Sequence, residues 1–355
     1  MDLKKIFLKD ACPTKMGGQA VLDGIMMRGE ERRAVVIRLP DGDMHIKTEK
    51  LKKPGKWSKL PIIRGVVAFI SSLVQGTGVL MYSAEVLGEY EMKNGEEVEE
   101  PGRFEKWLTD KFGEKGAWNF MLYSSVVFAV AITILVFILM PTWLMDLLGK
   151  VTDNAILLNI AEGVFRIFLF ILYIIAISRM KDIKKTFQYH GAEHKTIHCF
   201  ENGRELTPEN CQEFYTLHPR CGTSFLMFVL VIALVLFSFL GWPNLALRIA
   251  SRLLLIPVIA GLSYELLKWA GRSDNWLVKI LSMPGLYLQK LTTREPDDDQ
   301  LEVAIAAVKA VMVDENEPCI EGLCNKEGKL IEKEEDTGKA AGSSATAGDS
   351  EGRQE

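Results

Sequence analysis

His190-Gly191-Ala192-Glu193-His194, with His198 four residues on, is the stretch whose residue types and spacing could do chemistry, and it holds three of the chain's five histidines. On a helix, residues three and four apart are neighbours at about 5–6 Å between Cβ atoms, so His190, Glu193 and His194 share one face. Two imidazoles one turn apart can each put a ring nitrogen on one zinc at about 2.0–2.1 Å. A carboxylate between them can then act as general base toward water, the chemistry of the inverted-zincin metallohydrolases. His198 lies eight residues from His190, roughly 12 Å along a straight helix at about 1.5 Å per residue, too far for one ion to hold both. It is expected beside the pair, or as the partner of His194 in an alternative register. The implied cofactor is zinc or another divalent metal.

Further ligand-type side chains follow: Glu201, Cys211 and the run His218-Pro219-Arg220-Cys221-Gly222. A catalytic zinc keeps three protein ligands and one open position. The third ligand is expected to be Glu265, which lies about one turn before the end of an apolar span and at the depth where the histidine helix meets the membrane; a carboxylate there can also simply snorkel. His198, His218 and Cys221 are the alternatives. A different reading closes the site with Cys199, Cys211, His218 and Cys221 as a structural zinc centre. Near the N-terminus, the stretch from Gly17-Gly18 through Asp23-Gly24 to Arg28-Gly29 is expected to form a tight, backbone-exposed loop. Asp23 there is a candidate catalytic group or a turn carboxylate bonded to its own backbone.

The elements that must position these residues are largely apolar. The chain has 355 residues, 48% of them hydrophobic, and a formal net charge of only -4, which points to no nucleic-acid partner. Four spans long enough to cross a bilayer are expected at 118–140, 155–178, 223–241 and 249–269, with Trp118, Trp143, Trp242 and Trp269 near their ends. The spans carry few ionisable groups apart from Glu162, Arg166 and Glu265, and Glu162 with Arg166 can neutralise each other one turn apart. The 179–222 loop is rich in Lys and Arg, whereas the loop between the first two spans offers only Lys150. The histidine loop and both termini are therefore expected in the cytoplasm. Reduced cysteines follow from that placement.

The fold expected is a mainly α membrane protein of four transmembrane helices, with a small cytoplasmic α+β N-terminal unit and a cytoplasmic C-terminal helix. Its parts are 1–117, holding a hairpin over 34–48, a helix from Pro61 to about Leu87 and an acidic linker; 118–270, the membrane domain with the histidine-rich loop 179–222; 271–325; and a disordered tail, 326–355. The Pro61 helix is too polar for a good span and is expected to pack against the membrane part or lie in the interface. The C-terminal helix, opened by Pro296-Asp297-Asp298-Asp299, has an apolar face of Leu301, Ala304, Ile305, Val308, Val311 and Met312. It is expected to seek the N-terminal unit as its partner. Cys319 and Cys324 are placed in a loop.

Three stretches together resemble the YqhQ-like family of bacterial multi-pass membrane proteins: Gly17 to Arg28, Tyr189 to Lys195, and His218 to Ser224. That family is a group of unknown function sometimes labelled a metal-dependent enzyme. The resemblance covers roughly residues 13–313 and implies a protein of the bacterial inner (cytoplasmic) membrane, with no substrate or reaction attached. Where the family motif is expected to carry Glu, this chain has Asp23.

The function expected is a membrane-embedded metal-dependent hydrolase whose site opens at the cytoplasmic face, with Glu193 as general base and a lipid or membrane peptide as substrate. The competing reading is a non-catalytic assembly factor or scaffold that binds a membrane or cytoplasmic protein partner.

Overall fold

The computed structural model describes residues 6, 11–12, 14–51, 60–93, 102–152, 154–241, 244–270, 275–313, 317–324 and 330–333. The N-terminal lysines, Trp242, residues 94–101 of the acidic linker and the tail from 334 onward lie outside them. An antiparallel sheet of six strands runs in simple sequence order: β1 Gly17–Val21, β2 Gly24–Arg28, β3 Arg32–Arg38, β4 Met44–Lys50, β5 Glu321–Cys324 and β6 Leu330–Lys333. The glycine-rich stretch expected as a loop is a hairpin, β1–β2. Asp23 takes the left-handed position of its two-residue turn, φ 47°, which Asp tolerates better than most residues. The 34–48 hairpin forms as expected, Arg38 opposite Met44.

Period-2 alternation gives the sheet two buried faces. Val21, Val35 and Ile37 pack on α1 (Ile63–Lys93) through Val79, Tyr82 and Val86. Ile25, Met27, Val36, Met44 and Ile46 pack on α5 (Lys181–Glu201) and α10 (Asp298–Val311). Helix α10 is thus the middle of this unit, with Leu301, Ala304 and Val308 fully buried. Gln300 accepts a hydrogen bond from the Asp297 N–H at its start, half of a capping box. Cys324 sits in β5 rather than in a loop, and β6 falls inside the stretch expected to be disordered; both strands complete a sheet whose other members are about 280 residues away.

The apolar helices are α2 (Arg103–Ile134, kinked at Gly113), which runs through a π-helical turn Leu135–Leu139 into α3 (Met140–Leu148), then α4 (Ala155–Ile177), α7 (Gly222–Ser238) and α8 (Leu245–Ala270). Beside them lie the short α6 (Pro208–Gln212) and the amphipathic α9 (Trp276–Thr292). Four stretches are long and apolar enough to cross a membrane: Ile63–Glu91, Phe120–Leu148, Ala155–Ile177 and Leu245–Ala270. Helix α7, expected as a full span, has 17 residues, so it rises about 26 Å against a hydrocarbon core of about 30 Å.

Helix α1, expected to be too polar for a good span, is itself one of the four stretches long and apolar enough to cross. Its first turns pack on the membrane helices, with Gly65 so close to Gly261 that a Cβ would sit 2.8 Å from the latter's Cα, and the Phe69 ring lies tilted against Phe225 of α7, centroids 5.8 Å apart. Its later turns lie on the sheet. A hydrogen-bonded sheet stays on one side of a bilayer. The chain between β4 and β5 therefore crosses an even number of times, as does the chain between β2 and α5, which pack together.

The ends of α4 and α8 remote from α5 hold a buried polar cluster larger than the Glu162–Arg166 pair read from sequence. Glu162 also receives Arg252, Nε at 2.9 Å and Nη2 at 2.5 Å, and the Thr142 hydroxyl at 2.8 Å. Arg248, fully buried, reaches Asp146 at 3.0 Å. The guanidinium groups of Arg166 and Arg252 both lie over the Phe237 ring.

Candidate functional site

Helix α5 carries the histidines because it is wedged between soluble and membrane parts, and eleven of its 21 residues are buried. Gly191 lets it approach the chain at Arg294, whose carbonyl oxygen lies where a Cβ would be. The 213–221 loop crosses over the histidines and is held by Gln289 of α9. That side chain accepts from the His218 N–H at 2.8 Å and donates to the His218 carbonyl at 2.9 Å.

Within this frame the His190 and His194 ring nitrogens and the Cys221 Sγ converge, one atom from each, all within 4.8 Å of one another. Both rings are oriented from behind. His190 Nδ1 faces the Thr292 carbonyl at 2.8 Å, and His194 Nδ1 faces the Thr216 carbonyl at 2.5 Å. A carbonyl can only accept, so each Nδ1 carries the proton and each Nε2 keeps its lone pair, the tautomer a metal needs. His190 Nε2 lies 3.2 Å from Cys221 Sγ. Burial pushes the His194 pKa down, opposed by the Cys221 sulfur beside it. Two imidazoles and a thiolate are a donor set that suits zinc, with a fourth position open.

Glu193 stands next to this group. Its Oε1 accepts from the Gly18 N–H of β1 at 2.7 Å, while Oε2 is buried without a partner among the described residues. Burial raises its pKa, and the neighbouring His190 ring and the Gly18 N–H pull the other way. Gly18 must be glycine for this contact, since a Cβ would lie 2.8 Å from the Glu193 carboxyl carbon. A cleft of about 570 Å³ opens onto these residues between β1, α1, α5 and the start of α7.

The other expected site residues are elsewhere engaged. His198 Nε2 bonds the Leu217 carbonyl at 3.0 Å. His218 Nδ1 accepts from the Arg220 N–H, and its Nε2 points toward Glu201 at 3.9 Å. Burial holds both rings down to about 4, so they are neutral near pH 7. Glu201 is clamped by Arg220 and by Thr14; burial pushes its pKa up, but the nearby His218 ring and the hydrogen bonds from Thr14 and Arg220 overcome this and bring it down to about 2. Glu265, expected as the third ligand, is instead gripped by Arg64 at the start of α1, with Nε to Oε1 at 2.6 Å. A guanidinium fork satisfies both carboxylate oxygens, so the converging group takes Cys221 in its place. Asp23 pairs with Lys185 at 2.5 Å in its turn and does not line the cleft. Cys199 and Cys211 lie against each other in the core, and the closed four-ligand site is not formed among the described residues.

Sequence reasoning missed Gly18, Thr216, Thr292 and Gln289. The three that orient rings or loop act at distances of 22 to 102 residues along the chain from their histidines, and nothing local marks them.

No solved structure matches the chain. It is 33% identical over 312 residues, 86% of this chain and 94% of the relative, to the uncharacterized protein YqhQ of Bacillus subtilis (strain 168). A family model described as "Protein of unknown function (DUF1385)" matches residues 60–314, and to that family the chain belongs.

Proposed function

We propose that the protein is a metal-dependent hydrolase of the bacterial cytoplasmic membrane, with His190, His194 and Cys221 holding a divalent ion, zinc by donor type. The observation that carries this is the pair of imidazoles whose Nδ1 protons are committed to backbone carbonyls, so that both Nε2 lone pairs face Cys221. Once bound, the ion supplies Lewis acidity and a nucleophilic water near neutral pH. Glu193, with one oxygen fixed by β1 and the other uncommitted, takes the proton from the attacking water and passes it to the leaving group.

The crossings are α2–α3, α4, α7 and α8, which satisfies the even count; α1 lies alongside, its ends held by α8 and by the sheet. The basic residues between α4 and α7 put the cleft on the cytoplasmic side, with both termini. Helix α1 walls the cleft with Ser72, Gln75 and Gly76, while its other faces expose Val67, Ile70, Leu73 and Val74. A substrate held in or on the membrane reaches the site past that wall.

Elemental analysis of detergent-purified protein tests the reading. Wild type and Glu193→Gln should carry one equivalent of metal, and His194→Ala and Cys221→Ser little. Equal metal in His194→Ala and wild type would remove the hydrolase reading and leave a scaffold for a protein partner.

A further inference from the structure

Among the strands of the sheet, β1 lies at the edge, and its free edge faces the cleft. The ladder fixes which groups point there. Arg38 N–H bonds the Asp23 carbonyl, so the backbone groups of Gly24, Met26 and Arg28 turn toward β1 and meet Val21, Gln19 and Gly17. Gly18 and Ala20 therefore aim their N–H and C=O outward. The Gly18 N–H confirms the phase by reaching Glu193. The Ala20 N–H and C=O and the Gly18 C=O have no partner among the described residues.

We infer that the substrate is an extended polypeptide that adds to β1 as a further strand. The inference rests on the hydrolase reading and chooses between its two substrate classes. Residues 17–20 of this edge line the cleft, a run of about 10 Å at about 3.3 Å per residue. A free sheet edge binds extended chains through main-chain bonds, whatever their sequence. The charges disfavour a phosphate headgroup: Lys15 is paired with Glu30 and Arg220 with Glu201, which leaves Arg28 as the one lining cation unpaired among the described residues.

Pairing at Ala20 lays the next stretch of peptide beside Gly18, where Glu193 and the His190–His194–Cys221 group stand. Hydrolysis there breaks the amide C–N bond. The acyl carbon gains the hydroxyl of water, and the proton taken by Glu193 goes to the amine nitrogen. No electron carrier is needed.

The test uses Glu193→Gln full-length protein in nanodiscs, which binds without turning over, and fluorescein-labelled ten-residue apolar peptides. Each peptide is compared with versions N-methylated on odd or on even amides. Strand addition uses alternate amides, so methylation in one phase should weaken binding at least tenfold and in the other phase little. Ala20→Pro, which removes an outward-facing N–H that an edge strand can spare, should weaken binding equally while metal content stays at the wild-type level. Equal binding by both methylated sets overturns the inference, as does hydrolysis of phosphatidylglycerol vesicles by a wild-type protein that binds none of the peptides. Metal-free protein that still binds peptides with the alternating pattern would remove the hydrolase reading and keep strand addition.

Discussion

The two ends of the membrane helices each bury a cluster of polar groups, and the clusters differ in where their bonding capacity points. At the end remote from α5, Glu162 is saturated by Arg166, Arg252 and Thr142, and Asp146 answers Arg248. Those groups face one another across α3, α4 and α8, and the cluster reads as a clasp. At the other end the second nitrogens of His190 and His194 are committed to backbone so that the first nitrogens can point at a common centre, and one oxygen of Glu193 is fixed so that the other is left over. Unsatisfied atoms alone do not separate the two ends, since Arg166 Nε and Arg252 Nη1 are also buried without a partner among the described residues; what separates them is that the far groups are paired acid to base, whereas the histidine and cysteine donors converge on one point without an opposite charge between them.

That contrast can be broken experimentally. Glu162→Ala should have the largest effect, because it leaves two guanidinium groups unneutralised in an apolar interior. A cost of about 3–5 kcal/mol is expected, read as loss of thermal stability in detergent, with metal per folded molecule unchanged. Milder behaviour would mean the far cluster is not a clasp. Gly18→Ala should act chiefly on turnover. Its Cβ would sit 2.7 Å from the Met26 carbonyl oxygen and 2.8 Å from the Glu193 carboxyl carbon, so the melting temperature should fall somewhat, while turnover of whichever substrate is found drops by about a hundredfold and metal per folded molecule holds, the scale expected for a misplacement of about 1 Å. A fall in metal instead would place Glu193 among the ligands.

Smaller still is Glu265→Ala. The Arg64–Glu265 pair is about a quarter exposed at each side chain, and its loss should cost little stability and leave metal binding intact. A metal-deficient Glu265→Ala would restore the carboxylate as third ligand against the geometry. The least effect under ordinary conditions is acid sensitivity at Glu201. Its pKa is depressed in the folded protein, so its contribution is present above about 4.5, the ordinary range for Glu, and is lost as pH falls toward about 2. Hydrogen exchange in residues 213–221 should accelerate across that window in wild type. In Glu201→Gln it should be faster already at pH 6 and change less on acidification.

What could be read from the sequence was what is written locally. The histidine helix, the 34–48 hairpin and the apolar face of α10 each carry their period within one segment. Gly17-Gly18 reads as loop because glycine usually marks turns; here it is a strand whose missing side chain admits Glu193, a partner 175 residues away. Glu265 looked free because Arg64 lies 201 residues off, and Cys221 looked secondary because only the loop fixed by Gln289 aims it at the histidines. The arginines of α8 were the most available of the missed signals: Arg248 and Arg252 are a turn apart in an otherwise apolar helix, and charges so placed need partners in the bundle. Strands β5 and β6 could not be seen, since four residues each say little until β4 is beside them.

The pairing of β4 with β5 also sets an order of events during synthesis. By the time α10 and β5 leave the ribosome, every apolar helix has already been made, and until then α5 lacks the helix that covers its buried face. A nascent or truncated chain can hold His190, His194 and Cys221 and still have no finished wall behind them. The cleft is therefore finished only after the last membrane segment has been made, so its completion follows insertion as a separate, later step.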